Sequence, residues 1–394
     1  MRRFASTART SARALLAPAL LAALLAACSK DDSVTGPAPS PRTYRMGFSG
    51  VPPKADQALA IASIDLWSRR ADAALILSEP PWDSLLAGFP PDSLVRVLHL
   101  PLANYYRSKG HRIVVSVDPT NGLDRSSDSA PLVAAGRSLT EPAVQAVYRA
   151  YVTAMDTILR PEYLGFASET NLVKAAAPAA LYDALVRVAN DAAADVRAAD
   201  PDVKLFASVQ VEVAWGALGG GGAYVGIAQD RADFPFLDAL GLSSYPYLGG
   251  YAEPDSIPLD YYDRLDDGDP IPMLVIEGGW PSVSIPAAGV VSSPEKQRRY
   301  IARHGAILDR ARAAGWFQIT FTDLDSTLFP PGSILPFFAY NGLVDVDLNA
   351  KPSLATWDAI FGRPAAPSSA ARIRWTRAAR GPILRFEKQP VGHP

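Results

Sequence analysis

Eight short apolar runs recur along the chain, at 45–49, 73–77, 112–117, 163–168, 204–210, 237–243, 272–276 and 317–322. Most are continuously apolar rather than alternating. A strand without a polar face needs cover on both sides, which is the pattern of parallel strands buried beneath helices. Amphipathic stretches at 55–70, 91–109, 140–159, 178–198 and 294–314 lie between the runs. A weaker stretch at 259–266 follows the sixth run, and 351–361 reads as the last helix. The stretch at 294 opens on Ser293-Pro294-Glu295, an N-cap followed by proline in the first turn. Strands alternating with helices across 43–362 predict an α/β fold, a (β/α)8 TIM barrel. A doubly wound open sheet is the alternative, but no Gly-rich phosphate turn follows the first run. Four glycines at 219–222 precede no Lys-Ser/Thr pair and read as a rim loop.

The two ends differ in composition from this middle. Residues 1–27 carry Arg2, Arg3, Arg9 and Arg13, no acid, and an apolar run from 14 to 27. That run is too short to span a bilayer and has the form of a secretory signal. It ends Leu25-Ala26-Ala27-Cys28, at the only cysteine in the chain. This ending resembles the lipobox of bacterial lipoproteins, which implies lipidation of Cys28 and a membrane anchor at the bacterial cell envelope. Ser29 after the cysteine resembles outer-membrane sorting. An ordinary signal peptide is the plainer reading. Residues 28–42 read as a flexible tether. Residues 363–394 hold seven basic side chains against one acid and read as a basic, disordered tail, or as a contact for anionic glycan or lipid headgroups.

Charge and composition exclude several classes. The chain has 38 basic and 40 acidic side chains, a net −2; without the four arginines of 1–27 the balance is 34 to 40, or −6. An acidic domain is a poor electrostatic partner for nucleic acid, so none is expected. A single cysteine rules out a disulfide framework and a cysteine zinc site, and four scattered histidines form no HExxH helix. Neither a metal nor a cofactor is implied. No Gly-x-Ser-x-Gly elbow marks a serine hydrolase.

In a barrel of this kind, functional side chains stand at the carboxyl ends of strands. The polar residues there are Asp118 after the third run, Ser168, Glu169 and Asn171 after the fourth, and Gln210 and Glu212 after the fifth. Tyr245 follows the sixth, Glu277 the seventh and Asp323 the eighth. Strands four and seven face each other across the mouth, so Glu169 and Glu277 face each other too. Two carboxylates across a cleft are the minimum apparatus of glycoside hydrolysis. Trp82, Trp215, Tyr247, Trp280 and Trp316 offer flat faces for sugar rings, or pack the core and rim. The plainer readings make Glu169 a helix-terminal acid, Glu277 half of a structural ion pair and Trp280 a plug.

The segment Glu277-Gly-Gly-Trp280-Pro-Ser282 resembles the Glu-(Ser/Thr)-Gly-Trp-Pro-Ser motif of β-1,3-glucanases and the strand-seven motif of endo-β-1,4-galactanases. Residues 237–247, ending Ser-Ser-Tyr245-Pro-Tyr247, resemble the strand-six segment of the same clan-A glycoside hydrolases. The resemblance implies a retaining enzyme acting on a β-linked oligo- or polysaccharide; a monomer is expected. Glu169 would be the acid/base, Glu277 the nucleophile, and Tyr245 its neighbour. The departure is Ser168, where these enzymes usually carry an asparagine that bonds the sugar 2-hydroxyl; Asn171 stands two positions after Glu169. Asp118, Gln210, Trp280 and Asp323 complete the expected substrate contacts. Two other readings use the same barrel: a glycan-binding lipoprotein with impaired catalysis, and a scaffold that binds protein.

Overall fold

The computed structural model describes residues 40–218, 222–266, 268–329 and 333–366. The signal segment, Cys28, most of the tether, glycines 219–221 and the tail beyond 366 lie outside the described residues. No helix among the described residues is long and apolar enough to cross a membrane.

Eight parallel strands pair in sequence order into a closed barrel. They are β1 (Arg45–Ser49), β2 (Ala73–Ser78), β3 (Arg112–Val117), β4 (Tyr163–Gly165), β5 (Lys204–Gln210), β6 (Ala239–Ser244), β7 (Met273–Gly278) and β8 (Gly315–Gln318). Closure comes from β8, where Gly315 pairs with Leu274 of β7 and with Arg45 of β1. The TIM-barrel expectation is what the chain forms. Its helices are α1 (Gln57–Trp67), α2 (Trp82–Leu86), α3 (Pro91–Leu98), α4 (Leu100–Ser108), α5 (Ala130–Ala134), α6 (Pro142–Leu159), α7 (Thr170–Ala176), α8 (Ala179–Ala199), α9 (Val211–Ala214), α10 (Ala228–Asp233), α11 (Pro294–Ala311) and α12 (Pro352–Phe361).

Several boundaries depart from the sequence reading: the fourth strand is Tyr163–Gly165 rather than 163–168, the sixth is Ala239–Ser244 rather than 237–243, and the weak stretch 259–266 holds only a short 3-10 helix at Asp263–Asp266. The stretch 91–109 is two helices, because Pro101 has no N–H to continue the first and the chain turns at His99. The eighth strand is Gly315–Gln318, not 317–322; the preceding helix ends at Arg312 in a left-handed conformation, which leaves Gly315 and Trp316 free to enter the ladder. After Gln318 the chain leaves the ladder, with a cis peptide bond between Ile319 and Thr320. The connection after β5 carries only the short α9 and α10. The cap before α11 is as expected: the Ser293 hydroxyl accepts from the Lys296 N–H at 3.2 Å.

Side chains that meet inside the barrel come from strands all around it: Leu75, Val114, Phe206, Leu274, Ile276 and Phe317 are one buried cluster. Phe206 fits because its neighbours are glycines. A Cβ on Gly165 would stand 2.5 Å from the Phe206 ring, and one on Gly241 would stand 2.9 Å from it. Burying one such ring contributes about 1.5–3 kcal/mol. Leu77, the next inward position above Leu75, is 39% exposed, so the mouth is open to solvent above this apolar floor. The outward faces of the strands pack against the helices in a second, larger cluster.

The ordered body extends past both expected domain boundaries. Arg42, assigned to the tether, is buried and bonds Asp72 at 2.7 Å; its backbone pairs with Pro364 and Ala366. Arg363, assigned to the tail, forms a two-pronged ion pair with Asp309 at 2.7 and 2.8 Å. Backbone groups and charges satisfied on the barrel hold both segments there.

Asp156 of α6 is a stability liability. It is 1% exposed, and neither carboxylate oxygen has a hydrogen-bond partner. Burial, with Asp200 nearby, pushes its pKa up from 3.8 to about 6. The folded state therefore binds a proton that the unfolded chain has released, and stability falls as pH rises from about 4 through 6. Asp156→Asn should stabilise the fold at pH 8 by about 1–3 kcal/mol and by little at pH 4; denaturant melts at the two pH values check this, and equal gains at both would contradict it.

Candidate active site

Glu169 sits where β4 gives way to α7. Beyond Gly165 the chain still pairs with β5, through Phe166 N–H to Phe206 O and Ser208 N–H to Ala167 O. At Glu169 the backbone turns left-handed, with φ of 49°. Such a conformation costs a non-glycine residue about 1 kcal/mol and is frequent at functional positions. The Ser208 hydroxyl accepts the Glu169 N–H at 3.0 Å and holds the turn. Although Glu169 is the residue preceding α7, its side chain makes no capping bond. It points instead into the mouth. Arg125 Nε donates to its Oε2 at 2.9 Å, and the Ser243 hydroxyl donates to its Oε1 at 2.7 Å.

Glu277 reaches the same place from β7. The β6–β7 register slips between Leu242 and Ser243: Leu242 pairs with Val275, but Ser243 pairs with Glu277. Ile276 is the extra residue, and this bulge re-aims the side chain beyond it. Ser243 therefore touches Glu169 through its hydroxyl while its backbone lies beside Glu277. Tyr245 donates its hydroxyl to Glu277 Oε1 at 2.7 Å. Burial, then the charge of Glu169, pushes the Glu277 pKa up from 4.5 to about 7; Tyr245 and Arg125 oppose the rise. Tyr245 itself is held well above its ordinary pKa by burial and by the facing Glu277.

Arg125 joins these groups to Asp118. Its Nη1 lies 2.5 Å from Asp118 Oδ2 and 3.0 Å from Thr120 Oγ1. Asp118 Oδ1 accepts from the Thr120 hydroxyl and N–H at 2.7 and 3.0 Å, which folds the loop around the guanidinium. Burial works against the cation, but Asp118 and Glu169 outweigh it and hold Arg125 above its ordinary pKa.

The remaining expected contacts do not gather here. Trp280 has no exposed surface: its indole N–H donates to Ser292 Oγ at 2.9 Å and its ring stacks on Tyr300, so it packs the core rather than offering a sugar platform. Trp82, Tyr247 and Trp316 are buried likewise, and Trp215 is partly exposed. Gln210 caps α9 through its carbonyl oxygen and donates its amide to Glu212. Asn171 ties α7 to β5, with both ends of its amide on the Gln210 backbone. Asp323 is 5% exposed and ion-paired with Lys351 at 2.5 Å; it belongs to a loop beyond β8, not to a strand end. Ser168 is buried and takes no part in the bonds that hold Glu169. Glu212 is fully buried and accepts from Gln210, Tyr261, Ser244 and the Tyr245 N–H at 2.6–3.2 Å. Burial lifts its pKa to about 7 despite those donors. It anchors the backbone of the tyrosine that bonds Glu277.

Sequence reasoning missed Arg125, Ser243 and the anchoring role of Glu212. Arg125 lies in a turn-rich segment, Asp118-Pro-Thr-Asn-Gly-Leu-Asp-Arg125, where nothing distinguishes a buried cation from a solvated one.

No protein-family model matches this chain, and no curated protein matches it. Solved structures share its fold. An exo-β-1,4-mannosidase, Op5Man5, from Opitutaceae bacterium strain TAV5 superimposes with a TM-score of 0.60 at 18% identity, over 86% of this chain and 61% of that one. A GH5_18 protein from Bifidobacterium longum, in complex with Manβ1-4GlcNAc, gives 0.58 at 18% identity, over 82% and 80%. A β-glucuronidase from Ruminococcus gnavus, in complex with D-glucuronic acid, gives 0.52 at 12% identity, over 82% and 49%. The chain thus spans less than two thirds of the mannosidase and about half of the glucuronidase. At these identities the likeness establishes the barrel.

Removing the Tyr245 hydroxyl takes away a donor that stabilises ionised Glu277. Tyr245→Phe should raise the pH at which Glu277 ionises, by about one unit at the usual strength of a hydrogen bond to a charged group. Carbon-detected titration of the glutamate carboxyls measures it, and an unchanged or lower midpoint would contradict the assignment.

Proposed function

We propose that this chain is a glycoside hydrolase that cleaves β-linked oligo- or polysaccharides with retention, through Glu169 and Glu277. The observation that carries this reading is that two carboxylates from strands on opposite sides of the barrel lie at one place: the Ser243 hydroxyl bonds Glu169, Ser243 is the ladder partner of Glu277, and burial and then the charge of Glu169 raise the Glu277 pKa. Hydrolysis of this kind needs one carboxyl protonated, to give its proton to the leaving oxygen, and one ionised, to attack the anomeric carbon. The raised pKa of Glu277 beside the charge of Glu169 is the electrostatic sign of a pair that holds one proton at neutral pH. The strand-seven resemblance makes Glu169 the donor and Glu277 the nucleophile. Water, activated by Glu169 in its ionised form, then releases the sugar.

The β-1,4 linkage named for the mannosidase, and the Manβ1-4GlcNAc bound by the Bifidobacterium protein, make β-linked mannosides the first substrates to try. The Tyr245 bond to Glu277 supports the same reading. In this reading Cys28 carries a lipid and anchors the barrel at the bacterial cell envelope, on the outer membrane or cell surface. That part rests on the lipobox-like sequence, and Cys28→Ala should move the protein from the membrane fraction to the soluble one.

A second reading, a glycan-binding protein without turnover, has one observation in its favour. Both oxygens of Glu169 are already engaged, one by a cation. It predicts saccharide affinity with no product.

Reducing-end release from β-mannans, β-glucans, galactans and xylans separates the two. Glu169→Gln and Glu277→Gln should each lower kcat by at least about 100-fold in folded protein. Full turnover in either variant would refute the assignment. Binding without release in the wild type would favour the second reading.

A further inference from the structure

The end of the barrel opposite the mouth, where the strands begin, carries a charge pattern of its own. The Arg42 N–H donates to Pro364 O and the Ala366 N–H to Arg42 O, so the chain enters and leaves the body side by side just before β1. β8, β1, β2, β3 and β4 are consecutive around the barrel. Five arginines are exposed at this end of that arc: Arg312 before β8, Arg69 before β2, Arg107 before β3, Arg112 at its first position and Arg160 before β4. None of the five is ion-paired among the described residues. The acids at the surface of the arc, Asp65, Asp72, Glu162, Asp309 and Asp358, are each already in an ion pair with another cation, at 2.7–3.4 Å. Pairing therefore cancels the acids and leaves five positive charges over. Arg107 is held below its ordinary pKa by burial and then by the charge of Arg160, so these two stand close together. The acid excess lies elsewhere: residues 253–269, between β6 and β7, hold seven acids against one arginine.

We propose that this arc at the base of the barrel docks on an anionic lipid bilayer. Unpaired cations gathered at one end of an otherwise acidic body are complementary to a surface of negative headgroups. The occupant follows from the chain itself. Arg42 stands on the arc, and 42 − 28 = 14 residues separate it from Cys28, about 50 Å when fully extended. In the lipobox reading a lipid on Cys28 therefore keeps this end of the barrel within reach of the membrane. A flexible tether limits distance but sets no orientation; the arginines set it. Each basic side chain close to an anionic leaflet raises affinity about 5-fold. Residues 367–394 continue from the same place with six basic side chains against one acid, a sign that adds to the attraction. With the base on the membrane, the mouth and its carboxylates face away from it. The docking does not rest on the glycosidase reading.

Every strand and helix lies between 45 and 361, so a chain beginning at Ser29 keeps the whole fold without the apolar run or a lipid. That protein is sedimented with vesicles of phosphatidylcholine alone, and with vesicles of phosphatidylcholine and phosphatidylglycerol in equal parts. It should bind the anionic vesicles and not the neutral ones, and added salt should weaken the binding. Arg69, Arg112 and Arg160 make no side-chain hydrogen bond among the described residues, so their change to Gln should leave the fold intact. The triple variant Arg69→Gln/Arg112→Gln/Arg160→Gln should bind about 100-fold more weakly. Arg96→Gln, at an exposed position of α3 outside the arc, should change nothing, and a comparable loss there would overturn the assignment of the arc. Equal affinity for both vesicles would overturn the proposal, and so would full binding by the triple variant, which would place the affinity in the tail. Should the triple variant fail to fold, hydrogen exchange of the unaltered protein decides. On the anionic vesicles the amides at 107–112 and 159–163 should slow, and slowing confined to the loops of the mouth would overturn the proposal. None of these readouts uses turnover, so they stand whether or not the barrel hydrolyses glycans.

Discussion

β8 pairs with β7 on one side and β1 on the other, and that closure leaves the carboxyl ends of all eight strands on one rim. Parallel strands that close have no choice in this. Whatever polar residue follows each apolar run is delivered to a common mouth or to the loops just above it. The floor of that mouth is dry, filled by Phe206 between Gly165 and Gly241 and by the aliphatic side chains around it. Charges placed just above such a floor lose most of their water, and their pKa values respond to one another. The extra residue in β7 then sets which side chain of that strand looks inward, and it is Glu277.

The electrostatics of the mouth are unbalanced. Asp118, Glu169 and Glu277 surround one guanidinium, Arg125. With all four ionised the group would carry an excess of two negative charges in a weakly screened setting. Taking up one proton relieves half of that excess. Removing one partner of a buried ion pair typically costs about 3–5 kcal/mol, so the Asp118–Arg125–Glu169 bridge is also structural. Glu212 provides a contrast. It is a carboxyl buried without a cation, satisfied by neutral donors, and its work is to fix the backbone of Tyr245.

Much of this was legible in the sequence, and the rest was hidden for identifiable reasons. Glu169 and Glu277 stood out because each ends an apolar run. Gln210, Asn171 and Asp323 carried the same signal and turned out to tie loops and helices together. A polar residue at a strand end looks the same whether it faces the mouth or bonds a neighbouring backbone. Trp280 was misplaced for a similar reason: an aromatic after two glycines suits a platform or a plug, and Gly279 packs against Gln318 and Asn341 rather than leaving room for a ligand. Arg125 and Ser243 gave no signal. Their importance depends on what lies across the barrel, which no local pattern records. β8 begins two residues earlier than the sequence reading placed it, because Gly315 and Trp316 sit between the end of the helical pattern and the start of the apolar run.

The most direct test of the account is the configuration of the first sugar released. Proton NMR of the anomeric signal, followed from the start of hydrolysis of a β-linked glycan, reads it before mutarotation. The strand-seven resemblance implies double displacement through Glu169 and Glu277, and the account predicts that the β-anomer appears first. A first product in the α configuration would require carboxyls far enough apart to hold an attacking water, and would contradict the pairing of Glu169 with Glu277.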